Sequence, residues 1–334
     1  MRFKVLIADY LSDPSIEREL LGDIADVVCL GRKGVDAVFP EAEQADAVLL
    51  WHEVSLTAAA FDRMTRCRVV AREGIGTDNV DCAAAAKRGI RVTRVPDYGV
   101  DEVSNHALAL LLSLERGVVR YNTACRASGD RWSWDLARPL PRARDTVLGL
   151  IGLGRIGSAV ALKAKALGYQ VLFHDPYKED GYDKVLGVRR VDMAGLQTES
   201  DIVSIHCPLN DETRGLVGRP FLAACRRGLR LVNTARGGIV DLDALEEALR
   251  AGKVAGAGLD VLPWEPPDRS HPLIRAWQAG EPWAAERLVL TPHSAFYSEA
   301  SIVEMRRKAA LEVRRALLGE PSRNAVSGEP AAAR

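Results

Sequence analysis

Three residues that could bind an anion and move a proton each follow a predicted strand. Arg236 comes after RLVNTA, Glu265 after AGAGLDVLPW, and His293 after LVLTP. The carboxyl ends of neighbouring parallel strands open onto one crevice, so we expect these three side chains to converge there. Taken singly, each has an ordinary structural interpretation, as a surface salt bridge, a loop acid and a capped strand end.

Taken together, the three residue types suit the reduction of a carbonyl group. The planar guanidinium of Arg236 offers two parallel donors to the carboxylate of a 2-oxo or 2-hydroxy acid. The imidazole of His293 can give a proton to a carbonyl oxygen while hydride arrives from a nicotinamide. Glu265 would hold that imidazole in one tautomer. We therefore predict a carbonyl-reducing site formed by these residues.

A glycine turn between a strand and a helix predicts where a dinucleotide binds. Gly152, Gly154 and Gly157 have G-x-G-x-x-G spacing between the apolar run VLGLI and the helix AVALKAKAL. Such glycines allow a tight turn, close backbone approach to a pyrophosphate and helix-on-strand packing, while the helix N-terminus binds phosphate. Asp175 follows at the position where an acidic residue binds the ribose hydroxyls of the dinucleotide. Its negative charge would repel a 2′-phosphate. The cofactor is therefore predicted to be NAD.

A second glycine pair, Gly74 and Gly76, lies at the end of the predicted strand CRVVARE. Backbone N–H groups in such a loop can point at an anion, which predicts a substrate-carboxylate cradle beside Arg72. The alternative is a tight strand-to-helix turn in which Asn79 or Asp81 caps the following helix. Both interpretations can hold at once, and the residues do not decide between them.

The order of predicted elements indicates an α/β fold with two domains. A chain of 334 residues is too long for one typical core, and strands alternate with helices throughout. Residues 1–98 carry four strands but no phosphate-type glycine loop after the first, and the helix 299–318 is long enough to return to them. We predict a substrate domain of residues 1–98 plus 299–334. A dinucleotide-binding domain of residues 99–298, opening on one long helix from 101 to about 126, is inserted within it.

Composition and residue spacing exclude several classes of function. Lys plus Arg equals Asp plus Glu at 45 each, which argues against a nucleic-acid partner. The apolar runs are too short for a membrane span or a secretory signal. The six cysteines form no C-x-x-C pair and the six histidines no ligand cluster. We therefore expect free thiols, no metal and a cytoplasmic location.

The motifs GIGTDNVD, GLIGLGRIG, HCPLNDETRGLVG, LVNTARGGIVD, AGLDVLPWEP and LTPHSAFYS carry a family resemblance. Across nearly its whole length the chain resembles the D-isomer-specific 2-hydroxyacid dehydrogenases, and within them the C-terminal-binding-protein branch. The resemblance implies two Rossmann-like or flavodoxin-like parallel-sheet domains. It also implies that Arg236 binds substrate, Glu265 pairs with His293, and His293 is the proton donor.

The resemblance, with the position of residues 204–213 at the end of the strand DIVSIHCP, extends the predicted site. The expected cofactor contacts are Gly152, Gly154, Arg155, Ile156, Gly157, Asp175, His206, Cys207, Pro208, Thr213, Thr234, Ala235, Arg236, Asp260 and His293. His206 is interpreted as a neighbour of the cofactor, not as a catalyst, and His106 as structural. The expected substrate contacts are Arg72, Gly74, Ile75, Gly76 and Arg236.

The family likeness implies a homodimer, with residues 101–145 as the contact. Within them lies the aromatic arm, residues 128–145, where Trp132 and Trp134 could line a pocket, clamp a partner subunit or simply pack. Two departures from the family pattern concern specificity. The connection 266–287 is longer than usual, and Phe296 stands where animal members of the branch have Trp.

The function expected from these observations is an NAD-dependent interconversion of a 2-oxo acid and a D-2-hydroxy acid. Two alternatives stay open. One is an NAD(H)-sensing, corepressor-like binding protein, whose relatives keep the same Arg, Glu and His. The other is a phosphoglycerate-type dehydrogenase. Glu265 argues against formate dehydrogenase activity, since those enzymes carry Gln at that position.

Overall fold

In a computed structural model of the protein, which describes residues 2–9, 11–38, 40–127 and 132–327, the chain forms two compact units. The first unit comprises residues 1–99 and 298–334, and the second comprises residues 100–297. These bounds lie one residue from the expected ones. Residues 128–131 of the aromatic arm and 328–334 of the expected substrate domain lie outside the described residues.

The first unit begins with seven strands and three helices. The strands are β1 (Phe3–Ile7), β2 (Ala25–Cys29), β3 (Gly34–Val35), β4 (Ala47–Leu50), β5 (Val54–Ser55), β6 (Val69–Arg72) and β7 (Arg91–Arg94). The helices are α1 (Ser15–Leu21), α2 (Ala58–Arg63) and α3 (Cys82–Lys87). Neither α2 nor β7 was among the elements that the sequence predicted.

The second unit contains nine helices and seven strands within its described residues. The helices are α4 (Val100–Glu115), α5 (Val118–Ala127), α6 (Arg155–Ala166), α7 (Tyr182–Leu186), α8 (Met193–Glu199), α9 (Arg219–Ala224), α10 (Leu242–Arg250), α11 (Pro272–Gln278) and α12 (Pro282–Ala285). The strands are β8 (Val147–Ile151), β9 (Gln170–His174), β10 (Arg189–Arg190), β11 (Ile202–Ile205), β12 (Leu229–Asn233), β13 (Val254–Leu259) and β14 (Leu288–Leu290). The chain then returns to the first unit with α13 (Glu299–Leu317) and β15 (Ala325–Ser327).

Each unit is built on a parallel sheet whose strand order is a known nucleotide-fold order. In the first unit the order is β2-β1-β4-β6-β7, flavodoxin-like, with β15 added antiparallel at the β7 edge. In the second unit it is β10-β9-β8-β11-β12-β13-β14, the Rossmann order with one further strand. The predicted α/β fold class is confirmed.

Polar caps determine where several helices begin. The Asp81 carboxylate accepts the Ala84 N–H at 2.9 Å at the start of α3. Asp192 and Asp241 do the same for α8 and α10. Ser298 and Ser301 form a reciprocal capping box at the start of α13. One of the two interpretations of the turn after β6, a strand-to-helix turn capped by Asp81, is therefore present in the structure.

A buried ion pair joins the two ends of the first unit. Glu17 of α1 is fully buried and accepts from Arg306 of α13 at 2.8 and 2.7 Å. Glu73, at the end of β6, is also buried. Burial, and then the nearby Glu17 carboxylate, raise the pKa of Glu73 to about 8, so Glu73 carries a proton at neutral pH.

One expectation about the second unit was wrong in detail. The helix expected from 101 to about 126 is interrupted between α4 and α5, where Gly117 has φ +63°. A Cβ on Gly117 would lie 2.6 Å from the Ala137 Cβ, so the residues after the break pack against the arm. The connection 266–287, noted for its length, contains the two helices α11 and α12. Among the described residues, no helix combines the length and apolar character needed to cross a membrane.

Candidate active site

The glycine turn has the geometry that a dinucleotide requires. Gly152 has φ +92°, and a Cβ there would meet the His206–Cys207 backbone at 2.8 Å. A Cβ on Gly157 would lie 2.3 Å from the Gly152 oxygen, so only glycine lets α6 pack on this turn. At Gly154, by contrast, an added Cβ would have nothing within 4 Å. The start of α6, at Arg155 and Ile156, therefore has open space beside it.

Asp175 lies directly beside this turn. It follows β9, and its carboxylate accepts the Leu153 N–H at 2.8 Å and the Tyr177 N–H at 3.0 Å. The hydroxyl of Tyr177 donates to Glu212 in the loop after β11. Because β8 lies between β9 and β11, this bond spans the end of the strand that carries the glycine turn.

The segment after β11 packs under the turn. The His206 N–H donates to the Ile151 carbonyl at 2.7 Å, and its Nε2 lies 2.9 Å from the Ser204 hydroxyl. Burial lowers the pKa of His206 to about 4, so the imidazole is neutral. Burial raises the pKa of the Cys207 thiol to about 11, which keeps it protonated. Neither group is suited to acid–base chemistry near pH 7, in line with the interpretation of His206 as a neighbour of the cofactor.

The rest of this segment forms a compact loop. The Thr213 hydroxyl donates to the Pro208 carbonyl at 2.6 Å and accepts the Asn210 N–H at 2.9 Å. Pro208 and Thr213 are thereby held at the carboxyl edge of the sheet, where they were predicted.

The loop after β12 presents Thr234, Ala235 and Arg236. Its shape depends on the buried Asn233, whose side chain accepts the Ala235 N–H at 3.0 Å and donates to the Arg236 carbonyl at 2.9 Å. The buried Thr234 hydroxyl has no hydrogen-bond partner among the residues that the structure describes, so a bound ligand could supply one. Sequence reasoning missed Asn233, although an Asn at a strand end is a recognisable turn signal.

Glu265 and His293 form the predicted pair. The Glu265 Oε2 lies 2.6 Å from the His293 Nδ1, and its Oε1 accepts the Leu262 N–H at 3.0 Å. The His293 side chain is 20% exposed and that of Glu265 33%. The imidazole is thus oriented by a carboxylate that is itself fixed by the main chain.

The backbone at His293 adopts a conformation that side chains rarely take, with φ +51°. Asp260, which is buried, stabilises it by accepting the Ser294 and Ala295 N–H groups at 2.9 and 3.0 Å and the Thr291 hydroxyl at 2.6 Å. His106 of α4 adds a bond of 2.9 Å from its Nε2 to the Thr291 hydroxyl. Asp260, predicted as a cofactor contact, therefore has both oxygens engaged in holding the His293 loop. His106, interpreted as structural, supports the same loop.

Close backbone packing places the Arg236 and Glu265 loops side by side. A Cβ on Gly237 would lie 1.9 Å from the Leu262 carbonyl carbon, which no side chain could tolerate. Arg236 thus immediately precedes the point where its loop meets the loop of Glu265. The structure brings together the glycine turn, Asp175 and residues 206–213, and it brings Glu265 to His293.

Four predicted substrate contacts, Arg72, Gly74, Ile75 and Gly76, belong to the first unit. The Arg72 side chain is buried, and its Nη1 donates to the Glu73 carbonyl at 2.7 Å. Gly74 has φ +148°, and a Cβ there would overlap the Arg72 guanidinium. The loop is therefore shaped around the Arg72 side chain, and its contact with substrate stays a prediction.

Comparison with known proteins places this geometry in a family context. Residues 108–295 match the family model described as D-isomer specific 2-hydroxyacid dehydrogenase, NAD binding domain. The match confirms NAD as the predicted cofactor. The chain is 34% identical over 92% of its length to C-terminal-binding protein 1 of Caenorhabditis elegans. It is 31% identical over 97% of its length to D-3-phosphoglycerate dehydrogenase of Bacillus subtilis.

The chain spans 42% and 59% of the lengths of these two curated relatives. Among solved structures it is similar to D-lactate dehydrogenase from Aquifex aeolicus, complexed with NAD and lactic acid. That similarity has a TM-score of 0.84 and 27% identity, and covers 98% of this chain and 100% of the other.

Proposed function

The chain belongs to the D-isomer specific 2-hydroxyacid dehydrogenase family, and from this premise we propose that it interconverts a 2-oxo acid and a D-2-hydroxy acid with NAD. The observation that carries the proposal is the 2.6 Å pairing of Glu265 with His293 at the strand edge that also holds the glycine turn. An acid–base pair oriented in this way is what carbonyl reduction needs beyond a cofactor site.

In the proposed reaction, bound NADH supplies the hydride that reduces C2 of the 2-oxo acid. His293 gives the proton to the C2 oxygen from Nε2, because Nδ1 is bonded to Glu265. Glu265 holds the ring orientation and stabilises the imidazolium form before transfer. In the oxidation direction, the same nitrogen accepts the hydroxyl proton.

Arg236 is proposed to hold the substrate carboxylate. Its backbone is fixed by Asn233 on one side and by the Gly237–Leu262 packing on the other. The Arg236 Nη1 donates to the Ala235 carbonyl at 2.7 Å, and a guanidinium can bind a carboxylate through two parallel hydrogen bonds. The 74–76 loop of the first unit is proposed to add main-chain N–H donors to the substrate carboxylate.

The test is an NADH-oxidation assay over a panel of 2-oxo acids. Glyoxylate, hydroxypyruvate, phenylpyruvate and 4-methylthio-2-oxobutyrate cover small, polar, aromatic and methionine-derived side chains. We expect turnover of at least one acid, and a loss of about 10²–10³-fold in kcat for His293→Gln and Arg236→Met. The kcat of Glu265→Gln should also be lower than that of the wild type. Glu247→Gln, on the exposed face of α10, should keep full activity. Unchanged turnover in His293→Gln would refute the assigned role.

A homodimer is proposed as the assembly, with α4, α5 and the aromatic arm as its contact. Trp132 and Trp134 in the arm are 83% and 74% exposed in the single chain, which is unusual for large aromatic residues. Sedimentation velocity on the wild type and on Trp132→Ser/Trp134→Ser tests this. A dimer that persists in the double variant would place the contact elsewhere.

The 34% identity with C-terminal-binding protein 1 supports a second candidate, an NAD(H)-sensing binding protein. Its signature would be NADH binding without turnover of any acid in the panel. The 31% identity with D-3-phosphoglycerate dehydrogenase supports a third candidate, a phosphoglycerate-type dehydrogenase. Adding 3-phosphohydroxypyruvate to the panel separates that possibility from the others.

A further inference from the structure

A cavity of about 440 Å³ lies at the amino edge of the second unit's sheet. Its walls are the α4–α5 junction, the arm at residues 138–141, and the residues that begin β12, β13 and β14. The glycine turn and His293 follow the carboxyl ends of strands in the same sheet. The cavity is therefore separate from the proposed active site.

The charge in this cavity is strongly one-sided. Four arginines, Arg120, Arg138, Arg230 and Arg287, line it, together with a single carboxylate, Glu286. The Glu286 carboxylate lies 3.7 Å from the Arg120 Nε, so it is already shared with one of the four. Three positive charges remain in excess, which is the pattern of a site for an anion.

Arg230 is the residue for which this excess matters most. It is half-buried at the start of β12, yet its guanidinium makes no hydrogen bond or salt bridge to any residue that the structure describes. Two acids act on it from nearby: Asp201 accepts from Val147 and Arg226, and the buried Glu115 accepts from Tyr169 through one of its two oxygens. Its partial burial removes water from the guanidinium and lowers the pKa of Arg230. A charge in this position is stabilised when an anion pairs with it.

The neighbouring arginines are held in place by the chain. Arg120 donates to the Leu136 and Ala137 carbonyls at 3.3 Å, and Arg287 donates to the Leu249 carbonyl at 3.2 Å. Arg138 stacks on the Trp134 ring at 5.2 Å. These guanidinium groups are therefore positioned before any ligand arrives, which lowers the entropic cost of binding.

We propose that this cavity is a second binding site, for a small anion carrying phosphate or carboxylate groups. Arg230 is its central cation, with Arg120 and Arg287 beside it. Fork-shaped guanidinium donors suit both kinds of group, and the volume lies within the range of small-molecule sites.

Helix α4 joins this cavity to the loop of His293. Near the middle of α4, His106 bonds Thr291 in that loop; at its C-terminal end, Ser113 and Leu114 line the cavity. Between them α4 packs directly on glycines of β13, with the Leu110 Cβ 2.9 Å from where a Gly258 Cβ would lie. The cavity is therefore lined in part by the same helix that supports the loop of His293.

Titration calorimetry with inorganic phosphate and with citrate tests the proposal without relying on turnover. Each probe is titrated with and without saturating NADH, because NADH removes the glycine turn as a competing anion site. We expect a site that persists with NADH and also in Arg236→Met, which removes the carboxylate site proposed for the substrate, and comparing the probes shows which group is preferred. Arg230→Met should weaken binding at least 10-fold, whereas Arg189→Met, which removes an exposed charge at the other end of the sheet, should not.

Three results would overturn the proposal. They are no binding of either probe in the presence of NADH, unchanged binding in Arg230→Met, or equal weakening in Arg189→Met. The competing occupant is a second copy of the chain, since α4, α5 and the arm are also the proposed dimer contact. If Arg230→Met shifts the monomer–dimer equilibrium in sedimentation velocity and leaves anion binding intact, the cavity belongs to that interface instead.

Discussion

Both carboxylate oxygens of Asp260 accept hydrogen bonds from the loop that carries His293. This explains how a residue with φ +51° is held in place, because three donors in residues 291–295 are satisfied by one buried acid. A family motif marks Asp260 without saying which group it serves. The structure shows that Asp260 binds the loop of His293. This contact could not be deduced from the spacing of residues along the chain.

At the same scale, Asp175 leads to a prediction about cofactor selectivity. Its charge should repel the 2′-phosphate of NADPH, while its Oδ2 accepts the Leu153 N–H of the glycine turn. Asp175→Asn removes the charge but keeps an oxygen for that bond. We expect the ratio of kcat/KM for NADPH to that for NADH to rise at least 10-fold. The fully exposed Asp180→Asn is the charge-matched control, and a ratio that rises equally there would contradict the role of Asp175.

Individual residues differ in how far the sequence identifies them. Arg236, Glu265 and His293 were identifiable because their types are chemically special and each follows a strand. Asn233 and Thr291 were not identified, and His106 was interpreted as structural without its partner, because these roles depend on which loops lie next to each other. Those neighbours are set by sheet order, which a single sequence does not specify.

At the scale of elements, buried strands with apolar runs were predictable, and so were helices with regular periodicity. The break between α4 and α5 was not, since a lone glycine in a helical pattern is compatible with an unbroken helix. The short β7 was also missed, because RVTR has too few apolar residues to register as a strand. Tertiary packing against β6 and β15 makes it one.

Gly117 provides the test at this scale. Gly117→Ala imposes a left-handed conformation on alanine, and it places a methyl group 2.6 Å from the Ala137 Cβ. Gly215 has nearly the same φ, +64°, with nothing within 4 Å of an added Cβ. Gly215→Ala should therefore cost only the backbone strain of about 1–2 kcal/mol, and Gly117→Ala about 1–3 kcal/mol more. Urea unfolding of both variants measures the difference, and equal losses would mean that the arm does not pack on this turn.

At the scale of the whole molecule, the discontinuous first unit is closed by one buried ion pair. Arg306→Met would leave Glu17 buried without its cation, which costs about 3–5 kcal/mol in unfolding free energy. Arg307→Met is the matched control, because Arg307 pairs with the exposed Glu19. It should change the free energy of unfolding by less than about 1 kcal/mol. The double variant Glu17→Leu/Arg306→Met should recover most of the loss. Additive losses in that double variant would show that the pair is not the coupling element.

The same ion pair has a consequence for how the chain is made. Glu17 and Arg306 are separated by 289 positions, and the whole second unit lies between them. At a synthesis rate of roughly 5–20 residues per second, roughly 15–60 seconds pass before the partner of Glu17 leaves the ribosome. The Rossmann unit can complete its sheet during that interval, whereas the first unit cannot. We therefore expect the first unit to complete its folding after the Rossmann unit, because its last helix and strand, α13 and β15, are made last.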